Sequence, residues 1–163
     1  MVTAAMVAAE VQDPELPLLT LADLGILRDV DERDGRVVVT ITPTYSGCPA
    51  LRTIRDDLGS ALRAAGYRQV EVRVALSPAW TTDWITPTGR EKLAAAGISP
   101  PGPVPRRASG PVPLTLHPIR TAVRCPRCGH PDTEQLSAFG ATACRSLHRC
   151  HACREPFEHV KEI

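Results

Sequence analysis

Val70, Val72, Val74 and Leu76 alternate with Glu71, Arg73 and Ala75. A period of two predicts a strand with one buried face. Just upstream, Leu51, Ile54, Leu58, Ala61, Leu62 and Ala65 recur at helical spacing, and Gly66 supplies a stop. Residues 24–30 and 36–41 read as two more strands, joined around Asp34-Gly35, a dipeptide favoured in hairpin turns. A short helix over residues 3–11 would stop at Asp13-Pro14, and Thr86-Pro87 or Thr88 to Glu91 can cap a last helix through Ala96, ended by Gly97. The order helix–strand–strand–helix–strand–helix predicts an α+β fold, a small open mixed sheet with helices on one side.

That pattern ends abruptly. Pro100, Pro101, Pro103, Pro105, Pro111, Pro113 and Pro118 crowd the next stretch, with Gly102 and Gly110 among them. Such a run sustains neither helix nor central strand and tends toward extended polyproline geometry. The expected organisation is a body over residues 1–98, a linker over 99–118 and a tail module over 119–163. So short a tail has little core of its own, and a metal would offset that shortage.

The tail carries the ligands for one. Cys125-Pro-Arg-Cys128 and Cys150-His-Ala-Cys153 are separated by 21 residues. Each pair bends tightly enough to place two sulfurs on one ion, and Gly129 suits a turn that wraps backbone around a metal. The pairs predict a four-cysteine ribbon bound to zinc, although four thiolates fit iron equally well. Cys144 lies between the pairs; it either packs as a small apolar residue or serves as an extra thiol.

Composition narrows the function. Hydrophobic residues make up 43% of the chain but aromatics only 4%, so the core must come from Val, Leu, Ile and Ala. Lys and Arg number 19 against 18 Asp and Glu, a balance that argues against bulk capture of nucleic acid. The tail is locally basic through Arg120, Arg124, Arg127, Arg145, Arg149 and Arg154. Asp132, Glu134, Glu155, Glu158 and Glu162 dilute that charge. Residues 1–9 are apolar but lack the basic start and longer apolar core of a secretory signal, and no stretch is long enough to span a bilayer. The cytoplasm is therefore the expected setting, where cysteines read as ligands or reactive thiols.

Cys48 is the second thiol of interest. Pro49 is favoured at a first helical position, which would put Cys48 near the helix N-cap, where the dipole lowers a thiol's pKa. It could then bind a soft metal or a cluster, act as a nucleophile, or simply be buried. Asp13-Pro14-Glu15 offers two carboxylates that could cap, turn or ligate. Trp80 and Trp84, the only tryptophans, fall just past the third strand. They form either a partner-binding surface or a roof over an aromatic-poor core. An exposed Trp loop would also suit a homodimer.

The body resembles the domain family of cytosolic iron–sulfur assembly factors, through Asp13-Pro14-Glu15 and Gly47-Cys48-Pro49. From Val11 to Lys161 the chain resembles the PaaD family of the bacterial phenylacetyl-CoA epoxidase system, called PaaJ in some naming schemes. Trp80-Thr-Thr-Asp-Trp84, Cys125-Pro-x-Cys-Gly129 and Phe139-Gly-x-Thr-Ala-Cys144 through Cys150-x-x-Cys153-Arg-Glu-Pro-Phe157 carry that match. The resemblance implies a non-catalytic helper that matures the system's iron–sulfur reductase. Cys48, Asp13 and Glu15 would handle transient iron or a cluster, and the tail would be a structural zinc ribbon. The epoxidase's own di-iron chemistry needs Glu-x-x-His helices in a long bundle, which this chain lacks. Family members can carry a further cysteine near the C-terminus, whereas this chain ends Val160-Lys-Glu-Ile163.

Overall fold

In a computed structural model, residues 2–104 and 123–163 are described. They form two compact units, Met1–Leu93 with Ile163, and Ala94–Glu162. Among the described residues no helix is long and apolar enough to cross a membrane.

In the first unit, α1 (Ala4–Ala9) is capped by the Thr3 side chain, which accepts the Met6 N–H, and buries Ala4 and Ala8. The strands β1 (Leu27–Arg33) and β2 (Arg36–Ile41) pair antiparallel. Asp34 at φ 50° and Gly35 at φ 77° turn the chain, the two left-handed residues that a tight hairpin requires. The helix α2 (Leu51–Ala64) then crosses over to β3 (Gln69–Val74), which lies parallel to β2. The sheet order is β1-β2-β3. Val37, Val39 and Ile41 pair with Val70, Val72 and Val74, so all six occupy one face. The buried stripe of α2, Ile54, Leu58 and Leu62, packs there.

The first expected strand lies later than its apolar residues suggested. Residues 21–26 fold as successive turns, closed by the Ile26 N–H to Leu21 carbonyl bond (2.9 Å), with Gly25 at φ 67°. The register of β1 shifts between Leu27 and Asp29, and the intervening Arg28 lays its guanidinium over the Trp84 ring at 3.6 Å. A single 3-10 turn (Thr82–Trp84) precedes α3 (Pro87–Ala95). Thr86 caps α3 by accepting the Gly89 N–H at 3.0 Å.

The second unit holds a sheet ordered β4-β7-β6-β5, comprising β4 (Ile98–Ser99), β5 (Thr133–Ser137), β6 (Arg145–Cys150) and β7 (Pro156–Val160). Its start differs from the expected linker boundary, because β4 pairs parallel with β7. Two side chains fix that segment: His159 Nδ1 lies 3.2 Å from the Ser99 carbonyl, and Glu162 accepts the Gly102 N–H at 2.9 Å. Proline cannot donate to a ladder, but two residues ahead of Pro100 suffice for an edge pairing. The rest of the expected linker, from Pro105 on, lies outside the described residues. The small core here is Val123, Cys125, Cys150 and Phe157. Arg145, almost fully buried, is neutralised by Glu158 at 2.6 Å.

Candidate metal centre and the Cys48 site

Cys125 and Cys128 sit on the turn ahead of β5, while Cys150 ends β6 and Cys153 lies in the turn before β7. Each pair is shaped as a backbone knuckle. In the first, Cys125 donates to the His130 carbonyl (3.0 Å) and Gly129 to Cys125 (2.9 Å); in the second, Cys150 donates to Glu155 (3.1 Å). The residue after each second cysteine adopts left-handed backbone, Gly129 at φ 73° and Arg154 at φ 61°.

The knuckles bring the four sulfurs within 4.8 Å of one another. Cys125 and Cys153 Sγ are 3.7 Å apart, and Cys128 and Cys150 Sγ 3.5 Å. A tetrahedron with metal–sulfur bonds of about 2.3 Å has edges of about 3.8 Å. The donor set therefore fits one tetrahedral ion. The thiols are also unequal. Backbone N–H groups, chiefly that of Cys153, hold the Cys150 thiol at about 6. At Cys128 the His130 N–H acts against the shift, but burial and the three neighbouring thiols push the value up to about 12. Cys144 stands outside this cluster, with its sulfur 3.1 Å from Thr142 Oγ1. His148 is also elsewhere, buried and stacked on Phe157 with ring centroids 5.7 Å apart.

Cys48 lies in the turn after β2, where its N–H donates to the Tyr45 carbonyl at 3.2 Å. The helix begins later than Pro49 suggested: Ala50 is the N-cap and Leu51 the first helical residue. The expectation of a lowered thiol pKa is overturned. Burial raises it first, and the carboxylates of Glu15 and Asp13 raise it further, against the opposing N–H groups of Ala50 and Leu51. Asp13 and Glu15 therefore lie within electrostatic range of the Cys48 sulfur. Asp13 is buried, and its Oδ1 accepts the N–H groups of Glu15 (2.9 Å) and Leu16 (2.8 Å). Asp13 thus shapes the turn that presents Glu15, which is half-buried.

The half-buried Cys48 opens on a groove of about 510 Å³ along α2, whose walls include Arg52, Arg55, Arg63, Val70 and Val72. Sequence reasoning passed over these arginines, although their helical spacing puts them on one face with Gly59. Trp80 is not a partner surface. It is 5% exposed, and its Nε1 donates to the Leu24 carbonyl at 2.9 Å, so it roofs the core. Trp84 is half-buried and engaged by Arg28.

Residues 2–74 match the family described as Iron-sulfur cluster assembly protein, and residues 109–161 match the PaaD zinc beta ribbon domain. A crystal structure of a domain of unknown function, DUF59, from Bacillus anthracis is 27% identical and superposes with TM-score 0.51, covering 55% of this chain and 87% of that one. The Fe-S protein maturation auxiliary factor YitW of Bacillus subtilis (strain 168) is 37% identical over 45% of this chain and 74% of its own. A protein of Escherichia coli (strain K12), assigned by name to 1,2-phenylacetyl-CoA epoxidase as one of its subunits, is 44% identical over 95% of this chain and 88% of its own. With an assembly-type domain, a PaaD zinc ribbon and near-complete coverage by that relative, the chain belongs to the PaaD family of 1,2-phenylacetyl-CoA epoxidase components.

Proposed function

We propose that this chain is a non-catalytic accessory protein of the phenylacetyl-CoA epoxidase system, working in the cytoplasm to assemble or deliver an iron–sulfur cluster to the system's reductase. The observation that carries the reading is a half-buried Cys48 on an open groove, with Asp13 and Glu15 in electrostatic range, within the residues that match the assembly family. Iron, or a labile cluster, is cargo here. While the site is free of cargo, burial and the two carboxylates keep the proton on Cys48. An arriving cation reverses that electrostatic penalty, so the thiol ionises as it ligates. The proton returns when the cation leaves, which suits a site that must release what it holds.

The tail has a different task. Its four cysteine sulfurs would fill the ligand set of one tetrahedral ion and leave no open position for chemistry, as in structural zinc sites. Deleting the gene for this chain while supplying the other epoxidase genes tests the proposal. The reductase should then be recovered deficient in cluster; a fully loaded reductase would refute the maturation role.

A further inference from the structure

The sheet of the first unit is covered unevenly. Val37 and Val39 on β2 are fully buried, but their partners Val70 and Val72 on β3 are only half-buried. β3 is the last strand in the order β1-β2-β3, and among the described residues nothing pairs with its outer edge. A row of unpaired backbone groups beside a partly exposed apolar strip is a template for another strand. Leu76, just past β3, is 58% exposed and extends that strip.

Charge along the strip is one-sided. Arg52, Arg55 and Arg63 share the groove with a single carboxylate, Asp56. The Arg52–Asp56 pair is 3.9 Å apart with both side chains largely exposed, so it offsets little. Arg63 lies back over Gly59, where an added Cβ would come within 3.1 Å of its guanidinium. The Arg63 guanidinium thus lies one turn toward the N-terminus of α2, the direction in which helical side chains lean.

We propose that the groove between α2 and the outer edge of β3 docks an extended acidic segment of a partner protein, added as a strand beside β3. Main-chain hydrogen bonds to β3 would give affinity, and alternate side chains would enter the groove. Apolar residues would cover Val70 and Val72, while carboxylates would meet the guanidinium forks of the arginines. Such a segment ends beside Cys48. This rests on the delivery reading, since it names how a recipient is held at the thiol.

The test uses the full chain and two labelled synthetic peptides as long as β3, one alternating valine with glutamate and the other valine with lysine. Fluorescence anisotropy should show binding of the glutamate peptide, weakened by salt, with the lysine peptide at least about tenfold weaker. Amide exchange should slow at residues 69–74 when the glutamate peptide is added. Arg55→Glu with Arg63→Glu should cost at least about tenfold in affinity, while Gly59→Ala should weaken binding although the helix is kept. Equal binding of the two peptides, no binding, or protection in the free chain of those β3 amides that face away from β2 would overturn the docking site. If the glutamate peptide binds while a strain lacking this chain still loads the reductase, delivery fails and docking stands.

Discussion

Gly129 and Arg154 hold the same place in the two cysteine knuckles, each following the second cysteine of its pair in left-handed backbone, at φ 73° and 61°. Only one of the two positions uses the residue best suited to that conformation. Nothing lies within 4 Å of where a Cβ on Gly129 would sit, so substitution there meets only the backbone penalty. Gly129→Ala is predicted to destabilise the tail by about 1–2 kcal/mol. Arg154→Gly should leave it no weaker, the relief of strain being offset in part by glycine's greater freedom when unfolded. Chelator competition against each variant measures both; tighter metal binding by Gly129→Ala would contradict the knuckle geometry.

Loss of any one tail ligand should unfold that module alone. Replacing Cys125, Cys128, Cys150 or Cys153 by Ser is expected to release the metal and make the tail sensitive to protease, with the body intact. The core of the tail includes two of the ligands themselves, so it has little else to hold it. Elemental analysis of the wild-type protein should find one zinc per chain and no visible absorbance. Thiolate-bound iron would colour the protein and assign the tail to electron transfer instead.

The raised pKa of Cys48 has a kinetic sign. Alkylation proceeds through the thiolate, whose fraction at neutral pH must be smaller for Cys48 than for an ordinary thiol of 9.0. As pH rises through 9.0 an unperturbed cysteine approaches its plateau, while Cys48 should still be gaining. Glu15→Gln removes one of the two carboxylates and should speed alkylation at neutral pH. Mass spectrometry of labelled peptides follows this site by site. An unchanged rate would mean that Glu15 does not act on the sulfur.

Much of this was legible in the chain because it is local. The span of β2, the Asp34-Gly35 hairpin, the helix over Leu51 and its stop at Gly66 follow from periodicity and turn chemistry within a few residues. The four tail cysteines were legible for the same reason. Contacts between distant residues were not. Nothing in Ile98-Ser99 announces a partner at Glu158 and His159, and nothing near Trp80 shows that its indole N–H ends on Leu24. Cys48 shows the limit most clearly. Its neighbours suggested a dipole-stabilised thiolate, but the helix starts too late, and Asp13 and Glu15 arrive from another segment with the opposite effect.

The separation of a working thiol from a structural metal is the central claim, and one variant addresses it. Cys48→Ala, expressed with the other epoxidase genes, should retain its zinc and its fold. The reductase recovered from those cells should lack most of its iron–sulfur cluster, measured as iron and sulfide per flavin. A reductase loaded to the wild-type level beside a zinc-replete Cys48→Ala protein would contradict the account and move the function away from Cys48.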